Sequence, residues 1–164
     1  MVNEEQHQET EGNLSPPIFQ IRPAKVTDQS AIRSLIRIVG INPLGLDWRR
    51  FYLAVDSNDH LIGCGQIRVH GDGSRELASI AVQENWRQQG VATRIITTLL
   101  NGEQGNVWLM CQTEMVPFYE KFSFYEVLQL EDLPPHFRRI IRLWGVITRV
   151  SGGKHKGSVM LRKQ

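Results

Sequence analysis

Seven consecutive residues, Arg87-Gln88-Gln89-Gly90-Val91-Ala92-Thr93, set a cation, two amides and a glycine directly ahead of a helix-like apolar segment, with the apolar residues 77–82 before them. Such a run predicts a strand that feeds a turn of exposed backbone amides opening a helix. Unpaired N–H groups and the positive end of the helix dipole favour a pyrophosphate there, and Arg87 adds a full charge. Gly90 lets backbone approach a ligand and tolerates positive φ. The plainer alternative is a strand-to-helix turn that needs a glycine for its geometry alone. A Walker-type loop would end in Gly-Lys-Ser/Thr and a dinucleotide fingerprint would carry three glycines, and neither is present.

The run resembles the Q/R-x-x-G-x-G/A signature of the GNAT superfamily of N-acetyltransferases, with Arg87, Gly90 and Ala92 at the defining positions. Further stretches are similar to the family's pattern. Phe51-Tyr52-Leu53-Ala54-Val55-Asp56 and Leu61-Ile62-Gly63-Cys64-Gly65-Gln66-Ile67 look like its second and third strands, and Pro117-Phe118-Tyr119-Glu120-Lys121-Phe122-Ser123-Phe124 looks like its F-Y-x-K-x-G-F helix end, with Ser123 in place of the glycine. A Leu-Pro followed by basic residues ahead of the last strand-like run loosely resembles the N-acetylglutamate synthase branch.

The resemblance implies acetyl-CoA as co-substrate and direct transfer to an amine in a ternary complex. Residues 87–93 would then hold the diphosphate. A bulge would splay the fourth and fifth strands, so that backbone groups of Ile80, Ala81 and Val82 pair with the pantetheine arm. Gln112 stands where relatives often carry a cofactor-contacting asparagine. Amine acylation needs a neutral nucleophile, and an ammonium with pKa near 10.4 costs about 4–5 kcal/mol to deprotonate at neutral pH. Glu76 is the expected base, directly or through water, and Tyr119 the expected acid for the leaving thiolate. The plainer readings are a strand-end carboxylate paired with Arg75 and a core aromatic beside Phe118 and Phe122. Alternation along the strand predicts Glu76 on one face with Ala78, Ile80 and Val82. Trp48 and Arg49 are candidate acceptor contacts, and Cys111 is either a cleft residue or a small buried hydrophobe.

Elements must position these groups. Residues 18–21 read as a first strand; Thr27 or Asp28 is expected to cap a helix with Ile32, Leu35, Ile36 and Val39 on one stripe, and Gly40 stops it. Residues 41–48 read as a loop or short helix, and a polar turn at Asn58-Asp59 joins the next two strands as a hairpin. Strands over 76–82, 107–111, 124–130 and 158–161 and helices over 93–100 and 116–122 follow. Phe137, Ile140, Ile141, Trp144 and Ile147 share the face of a basic amphipathic helix ending at Gly152-Gly153. The expectation is an α/β (α+β) domain with a mixed sheet of about seven strands, flanked by helices, with an extra helix before the last strand.

At 164 residues with net charge +2, the chain is sized for one domain, expected over 18–164. Residues 1–17 carry Glu4, Glu5, Glu9 and Glu11 without Lys or Arg and end in Ser15-Pro16-Pro17, which predicts a flexible leader and no secretory signal. No apolar run approaches a membrane span. Cys64 and Cys111 read as buried, reduced thiols of a cytoplasmic protein. His7, His60, His70, His136 and His155 show no zinc-like spacing, so no metal is expected. The acceptor expected is a small-molecule amine or amino acid. A protein N-terminus or lysine, or a non-catalytic acyl-CoA sensor signalling through the basic helix, stays open as an alternative, as does a homodimer. That helix reads as a lid, a partner surface or, least well, a nucleic-acid patch, since it lacks interleaved aromatics.

Overall fold

The computed structural model describes residues 18–150 and 157–163, with side chains of α4 up to Leu143. The expected leader and the Gly152-Gly153 break lie outside the described residues. Seven strands, β1 (Gln20–Pro23), β2 (Phe51–Val55), β3 (Leu61–Val69), β4 (Arg75–Val82), β5 (Val107–Gln112), β6 (Tyr125–Glu126) and β7 (Gly157–Arg162), form one sheet in the order β1-β2-β3-β4-β5-β7-β6. Among the described residues, four α-helices flank it: α1 (Gln29–Val39), α2 (Val91–Asn101), α3 (Val116–Glu120) and α4 (Pro135–Val150). The mixed α/β sheet with an extra helix before the last strand is therefore present.

Helical spacing of apolar residues decides which face of the sheet each helix covers. Ile32, Leu35 and Ile36 of α1 are buried with Phe51, Leu53, Cys64 and Ala81, while Val91, Ile95, Ile96, Leu99 and Leu100 of α2 are buried with Ile62, Ile67, Leu77 and Leu109 on the other side. Gly40 adopts a left-handed conformation (φ 78°) that closes α1. A third cluster, Trp108, Leu133, Phe137, Val159 and Leu161, docks α4 at the β5–β7 end.

Several boundaries depart from the sequence pattern. The first strand is Gln20–Pro23, paired with β2, rather than 18–21. Asp28 precedes α1 without capping it, because its carboxylate is taken by Arg22 (2.8 Å) and the Lys25 N–H (2.7 Å). Trp48–Arg50 form a 3₁₀ turn. The α2 helix begins at Val91, two residues before the expected start, and α3 stops at Glu120. Within 124–130 only Tyr125–Glu126 pair as strand, and a 3₁₀ turn takes Leu130–Asp132. There Phe124, Val127 and Leu130 turn inward at every third residue, a spacing that alternation cannot supply.

Candidate active site

β4 and β5 run parallel but pair at only two positions, Arg75↔Val107 and Glu76↔Trp108. Beyond Glu76 they part, leaving a cleft between residues 77–82 and 109–112. The cause lies in β4 itself. Against β3, Cys64 pairs with Ala81 but Gln66 with Ala78, so Ser79 and Ile80 oppose the single residue Gly65. Ser79 sits at φ 58°, the left-handed geometry of a β-bulge, and its hydroxyl accepts a hydrogen bond from Gln66 Nε2 at 3.0 Å. Such a bend turns the strand's outer backbone edge into the cleft.

The bulge also corrects the expected alternation. Ile67 and Leu77 face each other within the α2-side core, so their neighbours Arg68 and Glu76 point the other way. After the extra residue, Ile80 and Val82 pack on the α2 side while Ala81 packs on the α1 side. Glu76 thus does not share a face with Ile80 and Val82. Close packing here depends on Gly65, where an added Cβ would lie 2.5 Å from Ile80 Cδ1 and 2.9 Å from Ile95 Cγ2.

At the mouth of the cleft, Arg87, Gln88, Gln89 and Gly90 are exposed. Gln88 (φ 62°) and Gly90 (φ 79°) are both left-handed, and the second lets the chain enter α2 directly. An added Cβ at Gly90 would meet nothing within 4 Å, so backbone torsion rather than crowding requires the glycine. No side chain caps α2, and Arg94 N–H to Gly90 C=O (3.0 Å) is the first helical bond. The amides of Val91, Ala92 and Thr93 precede it and point out of the helix end. The Val91 side chain is in the core, so only its backbone faces this corner. Arg87 is held to Val82 C=O at 3.4 Å. The uncapped amides and Arg87 thus lie together where the β4–β5 pair has parted.

Glu76 is buried (9 % exposed), not paired with Arg75, which instead pairs with Glu103. Its Oε2 is 2.8 Å from His70 Nε2 and 3.8 Å from Arg68 Nη1. His70 stacks on His136 of α4, with ring centroids 3.4 Å apart and planes 16° from parallel. Arg68 Nη2 also donates to Leu44 C=O at 2.8 Å, so the α1–β2 connection is tied to the same group. Gly45 packs close to this guanidinium, where an added Cβ would be 3.2 Å from Arg68 Cζ. Sequence reasoning passed over Arg68, His70 and His136: they are scattered along the chain and only the fold brings them together. The donor atoms of His70, Glu76 and His136 lie within 4.8 Å of one another. The imidazole planes are nearly parallel rather than converging on a point, and a guanidinium adjoins the carboxylate, which favours hydrogen bonding over a cation.

Tyr119 lies across the sheet, packed against the α2-side core, with its ring 5.1 Å from Phe118 and 6.3 Å from Phe124. Burial, and secondarily Cys111, push its phenol up to about 12. Cys111 is half-buried rather than buried, 3.9 Å from Met160 Sδ, with its thiol pushed up to about 11 by burial and then by Glu126 and Glu114. Gln112 is exposed at the end of β5. Trp48 packs on the α1-side core, with the exposed Arg49 guanidinium 4.9 Å over its ring. Ser123 has φ 65°, which explains why a glycine suits that position.

A parted parallel strand pair, a bulged inner strand and an uncapped helix start meet at one corner of the sheet. Residues 47–126 match the acetyltransferase (GNAT) domain family model. The chain is similar in structure to a Mycobacterium tuberculosis protein in complex with CoA (TM-score 0.68, 19 % identity, covering 88 % of this chain and 99 % of that one). It is also similar to Neisseria gonorrhoeae N-acetylglutamate synthase complexed with coenzyme A and L-arginine (0.68, 15 %, 90 % of this chain), of which it spans only 33 %. A third likeness is to the Escherichia coli ribosomal-protein-S18-alanine N-acetyltransferase (0.64, 15 %, 89 % and 94 %). No curated protein sequence matches the chain. Among the described residues, no helix is long and apolar enough to cross a membrane.

Proposed function

We propose that the chain transfers the acetyl group of acetyl-CoA to a small primary amine, such as an amino acid, by direct attack in a ternary complex. The observation that carries this reading is the opened β4–β5 pair ending at the uncapped start of α2. One ligand with a diphosphate and an extended amide-bearing arm fits both. Residues 87–93 receive the diphosphate, with Gln112 at the opposite rim of the cleft, and backbone of Ile80, Ala81 and Val82 pairs with the arm. Acetyl-CoA supplies the activated acyl group.

Glu76 takes a proton from the acceptor ammonium, and the freed amine attacks the thioester carbonyl. The C–S bond of the tetrahedral adduct then breaks, Tyr119 gives its proton to the departing sulfur, and the second proton leaving the amine nitrogen restores the phenol. Acid and base stand on opposite faces of the sheet, which suits a reaction passing through the cleft between them. The raised phenol is fully protonated at neutral pH and so enters the reaction in its acid form. The enclosure of Glu76, walled by Arg68, the Leu44 loop and α4, suits a small amine better than a polypeptide end. In this reading Trp48 and Arg49 line the approach of the acceptor, and α4 serves as its lid.

Calorimetric titration with acetyl-CoA is expected to show binding that Gly90→Val abolishes; no binding to the native chain at millimolar concentration overturns the reading. Turnover is then sought across L-amino acids, linear polyamines and short peptides with free N-termini. Binding without turnover of any amine would favour an acyl-CoA sensor instead.

A further inference from the structure

We infer that His70 is the positioning residue for Glu76, and that the C-terminal helix α4 completes this hold through His136. The inference rests on Glu76 acting as the base. A glutamate has three rotatable side-chain bonds, and a base is useful only if one oxygen is presented to the incoming ammonium. Here Oε2 is occupied: His70 Nε2 lies 2.8 Å away and Arg68 Nη1 3.8 Å. Since a carboxylate only accepts, Nε2 must carry the hydrogen. Oε1 is thereby left to face the acceptor.

His70 is itself buried and held by two rings. Its side chain is 7 % exposed, Phe137 meets it edge-on at 5.7 Å, and His136 covers its face at 3.4 Å. Both covering residues come from the first turn of α4. That turn is anchored by Asp72 Oδ2, which accepts the His136 N–H at 2.8 Å, and by Phe137, which is fully buried. Asp72 lies in the β3–β4 turn beside His70, so one short turn both orients the base and seats the helix that covers it. The last helix thus reaches the reaction without supplying a reacting group.

The test is a kinetic cycle on the full chain, using acetyl-CoA and the best acceptor of the amine panel. His70→Ala is expected to lower kcat by about 10- to 100-fold with the KM for acetyl-CoA nearly unchanged, and His70→Asn, which keeps a donor, to recover part of the loss. In a Glu76→Gln background, His70→Ala should cost almost nothing more, because its partner is already gone. His136→Ala should lower kcat by a smaller factor in the native background and not in Glu76→Gln. Leu143→Ala, on the exposed side of α4, should leave kcat alone. If His70→Ala multiplies with Glu76→Gln, or leaves kcat unchanged, the positioning role is overturned. If instead Glu76→Gln turns over like the native chain, the base assignment fails first and takes this inference with it. A long-range ¹⁵N–¹H spectrum of histidine-labelled protein is expected to show the Nε2–H form at His70; an Nδ1–H form overturns the proposed hydrogen bond.

Discussion

A phenol serves as a proton donor only if it arrives at the reaction still protonated. Burial raises the Tyr119 phenol to about 12, so it is fully protonated at neutral pH, and because a thiol is the stronger acid its proton passes to sulfur only as the C–S bond breaks. Removing only the hydroxyl is therefore expected to leave packing and coenzyme affinity intact while kcat falls about 100-fold or more. Steady-state kinetics of Tyr119→Phe beside its acetyl-CoA titration checks this, and an unchanged kcat removes the tyrosine from its role. These residues differ in how they could be found. Gly90 is legible in the sequence because its type answers a torsional need at a helix start. His70 and His136 are not, since their contact spans two distant segments and neither has a neighbour that marks it. Ser79 and Gln88 adopt left-handed torsions that nothing in a serine or glutamine announces.

For the elements, apolar spacing foretold α1 and α2 well because each buries a single stripe against one face of the sheet. Alternation failed along β4, where one inserted residue exchanges the faces of everything after it. The same bulge makes Gly65 indispensable, since it leaves one β3 residue beneath two of β4 with α2 pressed close. Gly65→Ala is expected to cost about 1–3 kcal/mol by overpacking, read as a lower denaturation midpoint with unchanged slope.

The docking of α4 carries a pH dependence of defined sign. Burial, then the neighbouring His70, hold the His136 imidazole below its usual 6.5; Arg68 acts the same way, with Glu76 and Asp72 opposing. The folded state thus prefers neutral His136, and its contribution is full above pH 6.5 and is lost as pH falls through that value and below. The Ser74 hydroxyl, followed by the His136 N–H, lowers Asp72 from 3.8 to about 2, so this second contribution is present above 3.8 and lost toward 2. The protection of amides in the first turn of α4, taken relative to their intrinsic exchange at each pH, should accordingly fall in two stages on acidification, ahead of that in α2. Equal loss of protection in both helices would refute the expectation.

For the molecule as a whole, a coenzyme that binds only the folded chain must stabilise it. At 100 times its dissociation constant, acetyl-CoA should add about 2.7 kcal/mol and raise Tm by about 5–10 °C. Gly90→Val should erase that rise, whereas Tyr119→Phe should keep it, so thermal scans separate binding from chemistry. The global architecture was foreseeable because hairpin-linked strands followed by alternating helices and strands admit few arrangements. Pairing order was less so, since no local pattern says that β7 comes to lie between β5 and β6.

That insertion governs how the chain must be made. Met160, fully buried, reaches the sheet from β7, which covers the facing edges of both β5 and β6. During synthesis those two edges wait bare, with donors and acceptors ready for any stray strand, until β7 leaves the ribosome. A nascent polypeptide halted before Gly157 should accordingly aggregate or depend on chaperones, however complete its coenzyme corner.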